Sequence, residues 1–431
     1  MRLLVLHQNF PGQFGHLVRA WAQRPGWDVR ALGRDTAPGL PGFDRLTRYK
    51  LARSPHSHQH PYLRSMEAAT LHGQAVARVL LEMKKKGFTP DAVLAHPGWG
   101  ESLYVKDVFP DARLVHYCEW YYNAEGADLG FDPEFPITFD DRARIRTWNA
   151  LHALNLTHCD AAVTPTHWQK SRHPEIFHPK ITVQHEGIDT EHLGPDPNAV
   201  ITTPNGTVLK AGDPVVTYVA RNLEPYRGFH IFMRALEKLQ QQHKTVHALI
   251  VGGDDVSYGK RPKDAKHWRE KMLREVTLDP TRTHFMGKLP RVQYIKVLQV
   301  SAAHVYLTYP FVLSWSLLEA MACGANIVAS DTAPVREVIE HGDNGVLVPF
   351  FDVDSVTCTL AESLGACAAR AARRDRCIAV AAQYSHDAGL RGYGVQIIDQ
   401  SPADTCSTQA LTAANGRRAW SRPAGVMRCS V

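Results

Sequence analysis

Long hydrophobic runs are missing from this chain of 431 residues. The opening run, Leu3-Leu4-Val5-Leu6, holds four apolar residues before His7-Gln8-Asn9. That is too short for a secretory leader or a membrane span and predicts a first β-strand. Cysteine is sparse: eight residues form no CxxC pair and no tight framework. A disulfide scaffold is thereby excluded, and reduced thiols in a cytoplasmic protein are expected. Aromatic residues are not interleaved with basic ones, so no nucleic-acid platform is expected. No clean GxGxxG follows a strand, and no acidic residue stands at the ribose-binding distance, which argues against a dinucleotide-dependent dehydrogenase. A net charge of +6 is mild. It suits an anionic substrate or a membrane surface, and equally a basic protein with neither partner.

What remains is ordinary globular composition, 44% apolar and 21% charged, in a chain long enough for two cores. Short apolar runs alternate with helical stretches. Strands are predicted at 2–6, 91–96, 113–118, 161–166 and 181–187, then at 215–220, 247–253, 303–309, 326–330 and 345–350. Helices are predicted at 65–86, 229–241, 264–276 and 315–323. Continuously apolar strands separated by helices indicate parallel sheets covered on both faces, and two series indicate two doubly wound domains. Their boundary is expected in the Pro-, Gly-, Asn- and Thr-rich stretch 190–212, and from about residue 400 the chain reads as a loose tail. Lys84, Lys85 and Lys86 are expected to close a helix before Gly87.

In open parallel sheets, ligands gather at the carboxyl ends of strands. After the first strand, HQNFPGQFGH holds Gly12 and Gly15, which fit either a backbone approach to a ligand or a plain turn. After 215–220 come Arg221 and Arg227, six apart in a loop that opens a helix. They can converge on a diphosphate or stand solvated. After 303–309, TYPFVLSWSLLEAMACG buries one carboxylate, Glu319, in an apolar helix. It forms a capping box with Ser316, or it accepts two hydroxyls of a ribose. The loop CEWYYNAEGADLGFDPEF (118–135) carries Glu119, Tyr121, Glu125 and Asp128. Its aromatics and acids suit a sugar acceptor, and equally a partly buried loop with solvated acids. HSHQH (56–60) lacks an acidic or cysteine neighbour and reads as a polar loop, so no metal is expected.

VARNLEPYRG, ALIVGG, MGKLP, SLLEAMACGANIVASDTAPVREVI and GDNGVLV, in that order, closely resemble the C-terminal half of family-four retaining glycosyltransferases. CDAAVTPTHWQKS and HEGIDTEHL resemble the N-terminal half more weakly, and HQNFPGQFGH resembles a bacterial subgroup. The resemblance covers about residues 1–350 and implies the GT-B fold, an α/β architecture of two Rossmann-like domains facing a cleft. Residues 1–200 would bind the acceptor, 201–385 the nucleotide sugar, and 386–431 would form a helix and tail. By position, Arg221 matches the arginine that holds the donor diphosphate, and Arg227 stands where lysine is usual. Glu319 matches the glutamate that contacts the ribose. Ser314 and Trp315 match the helix start that receives phosphate, and Lys288 and Leu289 lie beside the nucleobase. His116 follows a strand as the active-site histidine does, with His96 its rival and Glu119, Tyr121 and Glu125 on the acceptor side.

One position departs from the pattern: Phe311 replaces a glutamate that recognises hydroxyls of the transferred sugar. The resemblance implies transfer from a nucleoside-diphosphate sugar to a glycan, lipid-linked or other hydroxyl acceptor, with no metal or cofactor, at the inner membrane face or in the cytoplasm. A sugar-nucleotide epimerase and a non-catalytic nucleotide-sugar-binding homologue are the alternatives.

Overall fold

The computed structural model of the chain describes residues 1–365 and 368–398. The tail expected beyond residue 400 lies outside the described residues, as do Cys367, Cys406 and Cys429. Cys118, Cys159, Cys323, Cys358 and Cys377 are free thiols.

The first sheet holds seven strands: β1 (Arg2–Leu6), β2 (Asp28–Arg34), β3 (Leu46–Tyr49), β4 (Ala92–Ala95), β5 (Arg113–Tyr117), β6 (Ala161–Thr164) and β7 (Ile181–Val183). Their spatial order is β3-β2-β1-β4-β5-β6-β7, every pair parallel. A hairpin follows, β8 (Val200–Thr202) with β9 (Val208–Lys210). The second sheet holds β10 (Val215–Asn222), β11 (His247–Gly253), β12 (Thr283–Gly287), β13 (Ala303–Tyr306), β14 (Ile327–Ser330) and β15 (Val346–Val348). Its order is β12-β11-β10-β13-β14-β15, again all parallel.

Each strand of four or more apolar residues buries both faces because helices cover both sides of the sheet. β1, for instance, sends Leu3 and Val5 to one core and Leu4 and Leu6 to the other. The hairpin β8–β9 sits where the linker was expected. Ile201 and Leu209 pack on Val215, Leu249 and Val297, so it belongs to the second domain. The chain crosses back at Ser385, which bridges Ile188. Helix His386–Ile398 then packs Tyr393 and Ile397 beside Leu3, Val5 and Val115. That helix, expected in a separate C-terminal segment, therefore completes the first domain.

Helix Arg64–Lys85 ends as the sequence implied, with Lys84 and Lys85 in its last turn and Gly87 at φ +82° just beyond. Among the described residues no helix is long and apolar enough to cross a membrane.

In each sheet the strand order reverses at one point, between β1 and β4 and between β10 and β13. A crevice opens at such a switch point outside the carboxyl ends of the strands. Both crevices open into one cavity.

Candidate active site

The cavity holds about 680 Å³. From the first domain it is lined by residues that follow β1 (His7, Gly12, Gln13), β4 (His96, Trp99), β5 (Glu119, Trp120) and β7 (Glu186). From the second it is lined by residues that end or follow β10 (Arg221, Asn222, Glu224, Arg227), β11 (Tyr258) and β13 (Phe311 to Ser316).

The first-domain wall is a chain of hydrogen bonds with fixed polarity. His7 Nδ1 accepts from the Asn9 amide at 3.0 Å, so its Nε2 carries the proton toward Gln13 Oε1 at 2.9 Å. Burial, with His96 beside it, lowers His7 to about 3, and the ring stays neutral. His96 Nδ1 likewise accepts from the Gly98 amide at 3.1 Å, which points its Nε2 at Glu119 Oε2, 3.4 Å away. Gln13 Nε2 donates to the other Glu119 oxygen at 3.3 Å. Burial raises the Glu119 carboxyl, but the hydrogen bond from His96 and the nearby Arg221 guanidinium outweigh it and hold the group below its ordinary value. Glu119 is thus an oriented, ionised carboxylate at the cavity wall. Gly12 is required here: it has φ +53°, and a Cβ would meet the His7 ring at 2.3 Å.

The opposite wall is cationic. Arg227 is buried, and one guanidinium nitrogen donates to Thr308 Oγ1 at 2.8 Å and to the Val312 carbonyl at 3.0 Å. No carboxylate among the described residues lies within 4 Å of Arg227 or of the exposed Arg221. Glu224, the carboxylate nearest in sequence, is occupied by the backbone amides of Ser257, Tyr258 and Gly259. At the end of β13, Ser314 caps helix Trp315–Ala322 by accepting from the Ser316 amide. The Trp315 indole donates to Glu186 Oε1, tying the helix start to the end of β7 at 2.5 Å.

Of the residues singled out from the sequence, Gly12, His96, Glu119, Arg221, Arg227, Phe311, Ser314, Trp315 and Ser316 line the cavity, whereas Gly15, His116, Tyr121, Glu125, Lys288, Leu289 and Glu319 do not. His116 must be corrected. It is the fourth residue of β5 rather than a residue after it, paired with Ala95 and Ala162 on the flanking strands. It is fully buried, neither ring nitrogen has a partner among the described residues, and burial lowers it to about 3. His96, its rival, does follow its strand and lines the cavity.

Gly15 sits inside a helix at φ −56°, away from the wall. Tyr121 packs against His152 and His173. Glu125 is an exposed acid paired with Arg142 at 2.7 Å. Lys288 lies across Gly253, and Leu289 packs with the hairpin core.

Glu319 is buried, but it is neither a capping-box residue nor open to the cavity. Arg291 and Tyr294 each donate to one of its oxygens at 2.5 Å. The N-cap is Ser314, which puts Leu317 rather than Glu319 at the capping-box position.

His7, Gln13, Glu186, Glu224 and Tyr258 were missed. His7 was findable, because it follows β1 directly, and Glu186 lies three residues beyond the end of β7. HSHQH is exposed, and among the described residues the ligand-type side chains that converge are Asp132, Glu134 and His230. There Tyr309 donates to Asp132 at 2.6 Å, and Arg234 takes both oxygens of Glu134. That group fastens loop 118–135 to the second domain.

Asp128, on the same loop, accepts from Tyr226 at 2.9 Å, and burial raises it to about 6. A carboxyl with a folded value above its ordinary 3.8 contributes stability that is full below that value and is lost as pH rises to about 6. Unfolding free energy should therefore fall by about 2 kcal/mol across that interval. Asp128→Asn should remove this fall, as read by urea denaturation at about pH 4.5 and about pH 7.

Two family models match. One, the glycosyl transferase family 4 group, covers residues 25–193, and the other, glycosyl transferases group 1, covers residues 202–366. A phosphatidyl-myo-inositol mannosyltransferase of Mycolicibacterium smegmatis is 33% identical over 150 residues, 34% of each chain. The Mycobacterium tuberculosis protein of that name is 29% identical over 188 residues, 42% of this chain and 44% of that one. The chain therefore spans between a third and a half of the length of these relatives. A glycogen synthase of Mycobacterium tuberculosis is 25% identical over 405 residues, 87% of this chain and 89% of that one.

Among solved structures, a sucrose-phosphate synthase of Thermosynechococcus elongatus aligns with a TM-score of 0.67 at 17% identity, covering 91% of this chain and 97% of that one. The Anabaena protein HepE, crystallised with UDP-glucose, aligns with a TM-score of 0.61 at 18% identity, covering 91% and 98%. At such identities the likeness concerns the fold alone, and that fold is GT-B. With matches running from residue 25 to residue 366, this chain belongs to the family-four glycosyltransferases.

Proposed function

We propose that the protein transfers a glycosyl group from a nucleoside-diphosphate sugar to a hydroxyl acceptor, with retention of anomeric configuration. One observation carries the reading: two arginines with no carboxylate partner among the described residues, beside a helix start, face an oriented carboxylate across a cavity formed by both switch points.

Arg221 and Arg227 would grip the diphosphate, and amides at the start of helix Trp315–Ala322 would complete the anion site. As the glycosidic bond lengthens, negative charge grows on the leaving phosphate and positive charge on the anomeric carbon. Fixed guanidiniums stabilise the first without reorganising. Glu119, held by His96 and Gln13, accepts a hydrogen bond from the acceptor hydroxyl and offsets the second. His96 keeps its proton on Nε2 and serves as a positioning donor. Attack from the face of the departing phosphate retains configuration. Glu319 does not open into the cavity, so ribose hydroxyls would reach its remaining lone pairs only with the loop at residues 288–291 moved aside, which would bring Lys288 and Leu289 beside the base. Relatives named for mannosyl transfer to phosphatidylinositol support a lipid-borne or glycan hydroxyl as acceptor.

The pure protein, incubated with UDP- and GDP-sugars with and without extracted glycolipid acceptors, should release nucleoside diphosphate. Proton NMR of the product should show the donor's anomeric configuration. Inversion, or no release from any donor in a protein that binds nucleotide, overturns the reading. Epimerisation without acceptor points to the alternative enzyme.

Because two guanidiniums and a helix start neutralise the diphosphate, no metal is assigned to the reaction. Excess EDTA should leave the transfer rate within about twofold. A complete loss, restored by magnesium, rejects this assignment.

A further inference from the structure

We propose that the acceptor enters the cavity as an uncharged sugar or polyol: the ring that presents the reacting hydroxyl carries no phosphate or carboxylate. The inference rests on the nucleotide-sugar reading above and names the acceptor class.

The two halves of the cavity wall differ in charge. Among the described residues that line it, the only arginines or lysines are Arg221 and Arg227, both from the second domain. The first domain contributes two carboxylates, Glu119 and Glu186, and neither arginine nor lysine. With a donor diphosphate on the two arginines, the acceptor side keeps a carboxylate and no uncommitted guanidinium. Histidine does not supply the missing cation. His7 is neutral, and His96 has its Nε2 proton on Glu119. Burial lowers His152 to about 3 and His173 to about 4, so these rings are neutral as well.

What this wall offers instead suits hydroxyl groups, which donate and accept at once. Glu119 accepts. His173 Nδ1 donates to the Gln169 carbonyl at 2.9 Å, which leaves its Nε2 as an acceptor on a residue that lines the cavity. His152, beside it on the wall, has a buried Nε2 with no partner among the described residues. Neutral donors are not lacking, since the carboxamides of Asn9 and Gln13 lie on the same wall. They serve a hydroxyl as well as a phosphate and so do not decide between the two. Charge decides. A phosphate brings acceptor oxygens and about two negative charges. Beside Glu119 it sheds water, gains no counter-ion and is repelled by the carboxylate. A hydroxyl in the same place donates to that carboxylate.

Matched acceptors test this on the unaltered protein: methyl glucoside, methyl mannoside, N-acetylglucosamine and myo-inositol, each against its monophosphate. Affinity is read by calorimetry on protein saturated with UDP or GDP, so that the arginines are occupied and cannot capture the added phosphate. Turnover is read as acceptor-dependent release of nucleoside diphosphate from UDP- and GDP-sugars. In each pair that binds, the unphosphorylated member should be favoured at least roughly tenfold, the effect of setting like charges side by side without a counter-ion. Glu119→Gln should narrow the affinity ratio within a pair, whatever it does to turnover, and a merely structural role for Glu119 would leave that ratio alone. Equal or better binding of the phosphorylated member by the unaltered protein overturns the inference. So does a ratio that folded Glu119→Gln protein leaves unchanged, or the failure of every unphosphorylated member to bind. In these cases the nucleotide-sugar reading stands as long as UDP or GDP binds. Failure of both nucleotides and of their sugars to bind overturns both.

Discussion

Replacing Arg227 with alanine should lower kcat/KM for glycosyl transfer by roughly two to three orders of magnitude, the cost of removing a preorganised donor from a developing anion. Arg227 is buried at 7% exposure, and one of its nitrogens is spent on Thr308 and Val312. The scaffold thereby holds the guanidinium rigid and leaves the rest of the fork for phosphate oxygens. The alanine variant also strands the Val312 carbonyl and the Thr308 hydroxyl, at about 1–3 kcal/mol of stability. The two effects separate in a comparison of ligands. Affinity for a nucleoside diphosphate should fall, while affinity for the nucleoside should hold in protein whose denaturation midpoint is known. Arg227→Lys keeps the charge as a single point and should retain activity to within about tenfold. An alanine variant that binds and turns over donor as the unaltered protein does removes Arg227 from the anion site.

The fold was legible because buried parallel strands are short and uniformly apolar. β1 and β11 begin and end where the sequence placed them. β2 was missed because Asp28, Arg30 and Arg34 interrupt it. These side chains reach out at the sheet's margin, where Arg30 and Arg45 pair with Asp28. Helix Phe139–His158 was missed for a different reason. Its apolar residues do not gather on one stripe, and its start depends on a capping box between Thr138 and Asp141 inside an aromatic loop. In the site, the rule that ligands meet residues just after strands found His96, Arg221 and Ser314. It misplaced His116 because β5 runs on to Tyr117, and two residues of strand length decide whether that side chain enters the sheet or the cavity. Partners distant in sequence stayed hidden: nothing local announces that Gln13 meets Glu119 or that Arg291 meets Glu319.

Glu319 is where that blindness matters most, and its substitution is the second large effect. The carboxylate is 8% exposed beside an Arg291 side chain that is 46% exposed, with Tyr294 on its other oxygen. Its burial is thus already compensated within the protein, yet a carboxylate has about four lone-pair sites, and these contacts use two. Glu319→Ala should weaken nucleoside diphosphate binding by about 1–3 kcal/mol, the scale of lost charged hydrogen bonds. Binding of inorganic diphosphate should be untouched, because the arginines remain. Stability should fall as well, since Tyr294 loses its acceptor. Arg291→Ala provides the control. It removes the ion pair but leaves the carboxylate, so nucleotide affinity should survive if ribose and Glu319 meet directly. Equal losses for nucleotide and inorganic diphosphate, or a nucleotide loss in Arg291→Ala as large as in Glu319→Ala, would make the carboxylate a brace for the loop at residues 288–291 instead. The nucleoside would then be held by the rest of the cleft.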